Sequence, residues 1–149
     1  VLRGRFMSGA GDNPHEREPA EGREAKKDRI KVLLVDDEEG FANVLSNRLA
    51  KRKIDVTKAL TGTAGIQALR QGDFDAAILD LKMEDMDGLE VLKIFKKMVP
   101  AMPVIMLTGH GSEKAAKEGI EYGAFDYLLK PCELEDLIEK VREAIEAGR

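Results

Sequence analysis

The residues KVLLVDDE at 31–38 decide the reading, because four aliphatic side chains in succession run straight into three carboxylates. A short apolar run without polar alternation fits a strand covered on both faces. Similar runs recur, and residues 30–35, 55–59, 76–79, 104–107 and 125–129 read as five strands. Helical spacing appears between and after them, at Phe41, Val44, Leu45 and Leu49, at Leu89, Leu92 and Phe95, and at Leu134, Leu137, Ile138, Val141 and Ile145. Weaker helices are expected near 64–69 and 113–122. Strands and helices that alternate in this way predict a doubly wound α/β domain, a mostly parallel five-stranded sheet with helices on both faces. The turn signals Gly72-Asp73, Asp87-Gly88 and Gly123 fall between the elements.

Residues 1–29 are dense in charge, and Val1, Leu2, Phe6 and Met7 are their only large apolar side chains, too few for a core. They read as a flexible leader, with Met7 a candidate natural start and the residues before it candidate vector sequence. The folded domain is expected over 30–149. The whole chain has 149 residues, 43% hydrophobic and 35% charged, with a net charge of -4, which argues against direct attachment to nucleic acid. No apolar run approaches the roughly 20 residues of a membrane span. One cysteine, Cys132, cannot form an internal disulfide, so a reducing compartment, the cytoplasm, is expected.

In open parallel sheets ligands bind beyond the carboxyl ends of the strands. There the chain carries Asp36-Asp37-Glu38, Asp80, Thr108 and Lys130-Pro131. Carboxylates about 4 Å apart repel by roughly 4 kcal/mol per pair at an effective dielectric of about 20, so the cluster calls for a cation. Oxygen donors without His or Cys favour a hard ion, Mg2+, which often works with phosphate oxygens. A carboxylate beside Mg2+ can attack phosphorus in line and become an aspartyl phosphate. Asp80, alone at the end of the central strand, is the candidate nucleophile, and Asp36-Asp37 the candidate metal pair.

The segments KVLLVDDEEGF at 31–41, AAILDLKMEDMDGLEVL at 76–92, PVIMLTGHG at 103–111 and GAFDYLLKP at 123–131 resemble, in order, a response-regulator receiver domain of two-component signal transduction. The resemblance covers residues 30–147 and implies a flavodoxin-like strand order of 2-1-3-4-5. It makes Asp80 the phosphoacceptor, Asp37 a direct and Asp36 a water-mediated Mg2+ contact, and Lys82 a ligand through its main-chain carbonyl. Lys130 would bind the phosphoryl group, Thr108 would hydrogen-bond it, and Tyr127 would change rotamer with Thr108. Lys82 and His110 occupy the positions that tune dephosphorylation, and the Lys130–Pro131 peptide is expected to be cis. Glu84 departs from the family's usual proline, which removes a fixed φ from the loop and adds a negative charge near the site.

The implied function is a phosphoacceptor switch of a phosphorelay, charged by a sensor histidine kinase or a phosphotransfer protein. It would be a signalling domain rather than an enzyme, although one that promotes its own phosphoryl transfer and slow autodephosphorylation. Phosphorylation would reshape the face of helix four, strand five and helix five, which could also serve a homodimer. Output would pass to a downstream effector protein or output domain, since only Ala147, Gly148 and Arg149 follow helix five. One alternative is a Mg2+-dependent phosphohydrolase with an aspartyl-phosphate intermediate, but such enzymes carry a second Asp where this chain has Lys82. The other is a binding module of the same fold that is never phosphorylated, against which the intact Asp36, Asp37, Asp80, Thr108 and Lys130 argue.

Overall fold

The computed structural model describes residues 28–109 and 111–148. Most of the expected leader and His110 lie outside the described residues. Five strands, β1 (Ile30–Val35), β2 (Ile54–Ala59), β3 (Ala76–Asp80), β4 (Val104–Thr108) and β5 (Asp126–Leu129), alternate with five helices. The helices are α1 (Glu39–Ala50), α2 (Gly62–Gln71), α3 (Gly88–Met98), α4 (Glu113–Glu121) and α5 (Leu134–Ala147). The sheet is parallel throughout, in the order β2-β1-β3-β4-β5. The expected fold class and strand order are therefore those observed.

The continuous apolar runs are explained by burial on two sides. Alternate side chains of the same strand enter different cores. Leu33, Val35, Ala77, Leu79, Val104 and Met106 pack with Leu69, Val91, Leu92, Phe95 and Ala116 from α2, α3 and α4. Val32, Leu34, Ala76, Ile78, Ile105 and Leu107 pack with Ala42, Leu45, Leu49, Leu137, Ile138, Val141 and Ala144 from α1 and α5. Every residue of β3 and β4 is buried, whereas no residue of the edge strand β5 is.

Register brings the strand ends together. Val35 pairs with Leu79 and Asp80 with Leu107, so Asp36, one step past Val35, leaves the sheet beside Asp80. Strands β3 and β4 run one residue further than the sequence suggests, because Asp80 and Thr108 still belong to the ladder. At the other end, Arg29 ties the entry of β1 to its surroundings. Its Nε donates to the Asp55 carboxylate at 2.7 Å and its Nη2 to the Ala50 carbonyl at 2.9 Å.

Two helix starts face the strand ends and are capped by side chains. Thr61 Oγ1 accepts from the Ala64 N–H at 2.9 Å at the start of α2, and Asp87 Oδ1 accepts from the Leu89 N–H at 3.1 Å at the start of α3. Gly88, the first residue of α3, is required by close approach. A Cβ there would stand 2.5 Å from Leu81 Cα and 2.9 Å from the Asp80 carbonyl oxygen. Glu38 stands at the cap position of α1 but its side chain makes no capping bond. Its carboxylate is committed elsewhere.

Candidate functional site

Asp36, Asp37 and Asp80 each offer a carboxylate oxygen within 4.8 Å of the others. Asp36 is fully buried and Asp80 nearly so. Short local hydrogen bonds aim both carboxylates. Asp36 Oδ1 accepts from the Glu38 N–H at 2.9 Å, and Asp80 Oδ1 accepts from the Lys82 N–H at 3.1 Å. The strand supplies the position, and the turn that follows it supplies the orientation.

Lys130 reaches this cluster from the end of β5. Its main-chain N–H donates to the Thr108 carbonyl, and the Lys130–Pro131 peptide is cis. Its Nζ donates to Asp36 Oδ2 at 2.8 Å and to Glu38 Oε1 at 3.0 Å, and stands 3.6 Å from Asp80 Oδ2. The same ammonium lies 4.5 Å from the centre of the Phe41 ring, whose face gives it a further favourable contact. Burial pulls the Lys130 pKa down, but the hydrogen bonds to Asp36 and Glu38 and the charges of Asp36 and Asp80 outweigh that and hold it above the ordinary lysine value.

Asp80 is shifted toward protonation. Burial is the main cause; the Lys82 N–H and the Lys130 charge oppose it, while the charges of Asp36 and Asp37 add to it. One lysine, shared with Glu38, does not neutralise three clustered carboxylates. The donors are all oxygen, the charge excess is negative, and the oxygens lie close enough to share one ion. This set fits a hard dication such as Mg2+. Thr108 adds a second sign that a ligand belongs here, since its hydroxyl is buried and meets no hydrogen-bond partner.

Tyr127 stands one strand over from Thr108. Met106 pairs with Tyr127 and Thr108 with Leu129, so both side chains belong to the same face of the sheet, two residues apart in register. Tyr127 is half-buried against the core that contains Met106. The structure thus brings Asp36, Asp37, Asp80, Thr108 and Lys130 to one end of the sheet, with Tyr127 nearby. Lys82 contributes its N–H, and its side chain is exposed.

Three contacts around the site escape the sequence. Glu38 follows the metal pair but its contact with Lys130 spans 92 positions. Phe41 carries the spacing of a helix core position yet lies beneath the lysine. Asp85, in the loop between β3 and α3, accepts from the Gly62 N–H at 2.9 Å and the Thr63 N–H at 3.1 Å. Nothing in the local sequence announces that partnership.

An acidic cluster at the switch point of a parallel sheet, faced by a threonine and a lysine, marks a class of doubly wound α/β domain, and the chain belongs to the response regulator receiver domain family, whose pattern matches residues 32–142. It is 36% identical over 115 residues to the transcriptional regulatory protein GlrR of Escherichia coli, covering 77% of this chain and 26% of that protein. To the transcriptional regulatory protein YkoG of Bacillus subtilis it is 37% identical over 114 residues, covering 76% of this chain and 50% of the relative. The chain therefore spans a quarter to a half of the length of these relatives. Among solved structures, a CheY-like receiver domain protein from Methanospirillum hungatei superposes with a TM-score of 0.77 at 30% identity, over 80% of this chain and 96% of that one. A receiver domain protein from Clostridium thermocellum gives 0.76 at 33% identity, over 79% and 95%.

Proposed function

We propose that this receiver domain, taken as residues 30–149, is a phosphoacceptor switch in which Asp80 accepts a phosphoryl group from the phosphohistidine of a sensor kinase or phosphotransfer protein. The observation that carries the reading is the close approach of Asp36, Asp37 and Asp80 beside Lys130, with the unpartnered Thr108 hydroxyl at the same end of the sheet. A cytoplasmic setting suits such a partner, and no helix among the described residues is long and apolar enough to cross a membrane.

The chemistry follows from the placement of the side chains. An Asp80 carboxylate oxygen attacks phosphorus in line, forming the O–P bond as the N–P bond breaks, and the histidine nitrogen leaves with the electron pair. The Lys82 N–H holds the other Asp80 oxygen and so fixes the direction of attack. Asp36, Asp37, Asp80 and the Lys82 carbonyl would hold Mg2+, which when bound would supply neutralisation of the negative charge on the transferring oxygens. Lys130 moves its hydrogen bond from Glu38, which is exposed and readily hydrated, to the phosphoryl group. Slow hydrolysis of the acyl phosphate then returns the domain to rest, and Lys82 and His110 are the candidate residues that set its rate.

Thr108 converts the event into a conformational signal. Its hydroxyl gains a partner by turning toward the phosphoryl oxygens, and the vacated space admits Tyr127, which alters the face made by α4, β5 and α5. An effector protein, an output domain or a second copy could read that face. If Tyr127→Ala left phosphorylation-dependent amide shifts on α4 and α5 as they are in the wild type, the coupling would be wrong.

Incubation with acetyl phosphate and Mg2+, followed by intact mass measurement, tests the reading. The expected result is the gain of one phosphoryl group, absent in Asp80→Asn and when Mg2+ is chelated beforehand. No gain under any condition would favour a binding module, and rapid turnover of many phosphate esters would favour a hydrolase.

A further inference from the structure

We propose that Asp85 is a positioning residue for the phosphoryl site: by fastening the tip of the β3–α3 loop to the first turn of α2, it holds the Lys82 main chain and the Asp80 carboxylate in register. The proposal rests on the reading of Asp80 and Mg2+ given above and adds a residue outside that set.

The loop between Asp80 and Gly88 is closed at its neck. Gly88 N–H donates to the Leu81 carbonyl at 3.2 Å, and Lys82 and Asp87 form an isolated antiparallel bridge. Its tip is held less well. Among the described residues, the main chain of residues 83–86 makes no hydrogen bond to main-chain groups outside the loop. Met83 and Met86 pack against the core, but methionine is flexible and fixes direction poorly. Glu84 leaves φ unconstrained where a proline would lock it.

Asp85 supplies the missing directional attachment. Its Oδ1 accepts from the Gly62 N–H at 2.9 Å, and its Oδ2 accepts from the Thr63 N–H and the Thr63 hydroxyl, both at 3.1 Å. These are the N–H groups that the helix's own cap leaves free, because Thr61 serves Ala64. The carboxylate also meets the positive end of the helix dipole. The helix is a fixed post. A Cβ on Gly62 would come within 2.9 Å of Val91 Cγ2 and 3.1 Å of Met86 Cβ, and one on Gly65 within 2.9 Å of Val35 Cγ2. Val35 is the residue before Asp36, so the post stands on the strand that carries the other carboxylates.

A carboxylate that only capped α2 would affect stability alone, so the test must read the site. Mg2+ alone is titrated into the full chain and followed by amide shifts, and phosphoryl uptake from acetyl phosphate is timed in parallel. Asp85→Ala is expected to weaken Mg2+ binding about tenfold and to slow uptake similarly, as loss of an orienting outer contact does elsewhere. Asp85→Asn, which keeps the shape and one acceptor, should fall between. Adding Glu84→Pro to Asp85→Ala should recover most of the Mg2+ affinity. Thr61→Ala, which removes the helix's own cap, should lower the melting temperature while leaving Mg2+ affinity unchanged. Wild-type Mg2+ affinity in both Asp85 variants, or a loss matched by Thr61→Ala, would overturn the proposal. A wild type that neither binds Mg2+ nor takes up phosphoryl would overturn the site reading itself, and this proposal with it, whatever the variants do.

Discussion

Thr108 keeps a buried hydroxyl without a partner, an arrangement that costs stability in the resting state. Thr108→Val replaces that hydroxyl with a methyl group of the same shape. The variant should be more stable by about 1 kcal/mol in urea unfolding, while the phosphorylation-dependent change near Tyr127 is lost. Lower stability would mean that the hydroxyl is satisfied in solution. The legible site residues share a feature with Thr108. Asp36, Asp80, Thr108 and Lys130 each close or follow an apolar run, where a parallel sheet places its ligand contacts, so their positions follow from the pattern of the runs. Glu38, Phe41 and Asp85 are different. Their partners lie on other elements, and only closure of the fold brings them within reach.

At the level of elements, the start of α3 is set against the end of β3 with no room for a side chain. Gly88→Ala would drive a Cβ into the Leu81 main chain, and backbone cannot yield as a side chain can. The expected loss is about 2–3 kcal/mol, read as a lower urea midpoint, with weaker Mg2+ binding because the loop carrying Lys82 shifts. A variant as stable as the wild type would show that α3 can slide. The edge strand β5 is tied to α5 by Lys140 Nζ, 2.8 Å from Asp126 Oδ2. Burial raises the Asp126 pKa, but the Lys140 hydrogen bond, the Tyr127 N–H and the Lys140 charge outweigh it and hold the group below its ordinary value. A carboxyl lowered by folding stabilises fully above its unfolded pKa and ceases to do so as pH falls through the folded value. Asp126→Asn should therefore be less stable than the wild type at pH 7 by about 0.5 kcal/mol, the small figure reflecting solvent screening, with the gap closing in acid. A gap unchanged in acid would remove the ion pair as its cause. The central strands were legible because burial on both faces leaves only apolar residues. Strand β5 begins a residue later than its run implies: its ladder with β4 opens at Asp126 opposite Ile105, although the Phe125 N–H still donates to the Val104 carbonyl.

Over the whole molecule, the fold gives up stability at one end of the sheet to keep three carboxylates together. Burial, with a smaller part from repulsion by Asp36 and Asp37, raises the Asp80 pKa, so its ionised form is disfavoured by folding. Without Mg2+ at pH 7, Asp80→Asn should be the more stable protein by about 1 kcal/mol. Mg2+ should reverse the order. A ligand at ten times its dissociation constant adds about 1.4 kcal/mol to the protein that binds it, and the wild type should gain this while Asp80→Asn gains much less. Equal melting temperatures for both proteins, with and without Mg2+, would contradict the electrostatic account. The general fold could be read because both cores draw on the same strands in alternation. The balance of charge at the strand ends could be read only as an excess, and the geometry then shows which groups share it.

The most direct measurement locates the phosphoryl group. After charging with acetyl phosphate and Mg2+, borohydride reduction converts an acyl phosphate to an alcohol, and peptide mapping then identifies the carboxylate that carried it. The account predicts conversion at Asp80 alone and only when Mg2+ is present. Conversion at Asp36, Asp37 or Glu38, or the same conversion at Asp80 when Mg2+ is chelated before charging, would contradict it.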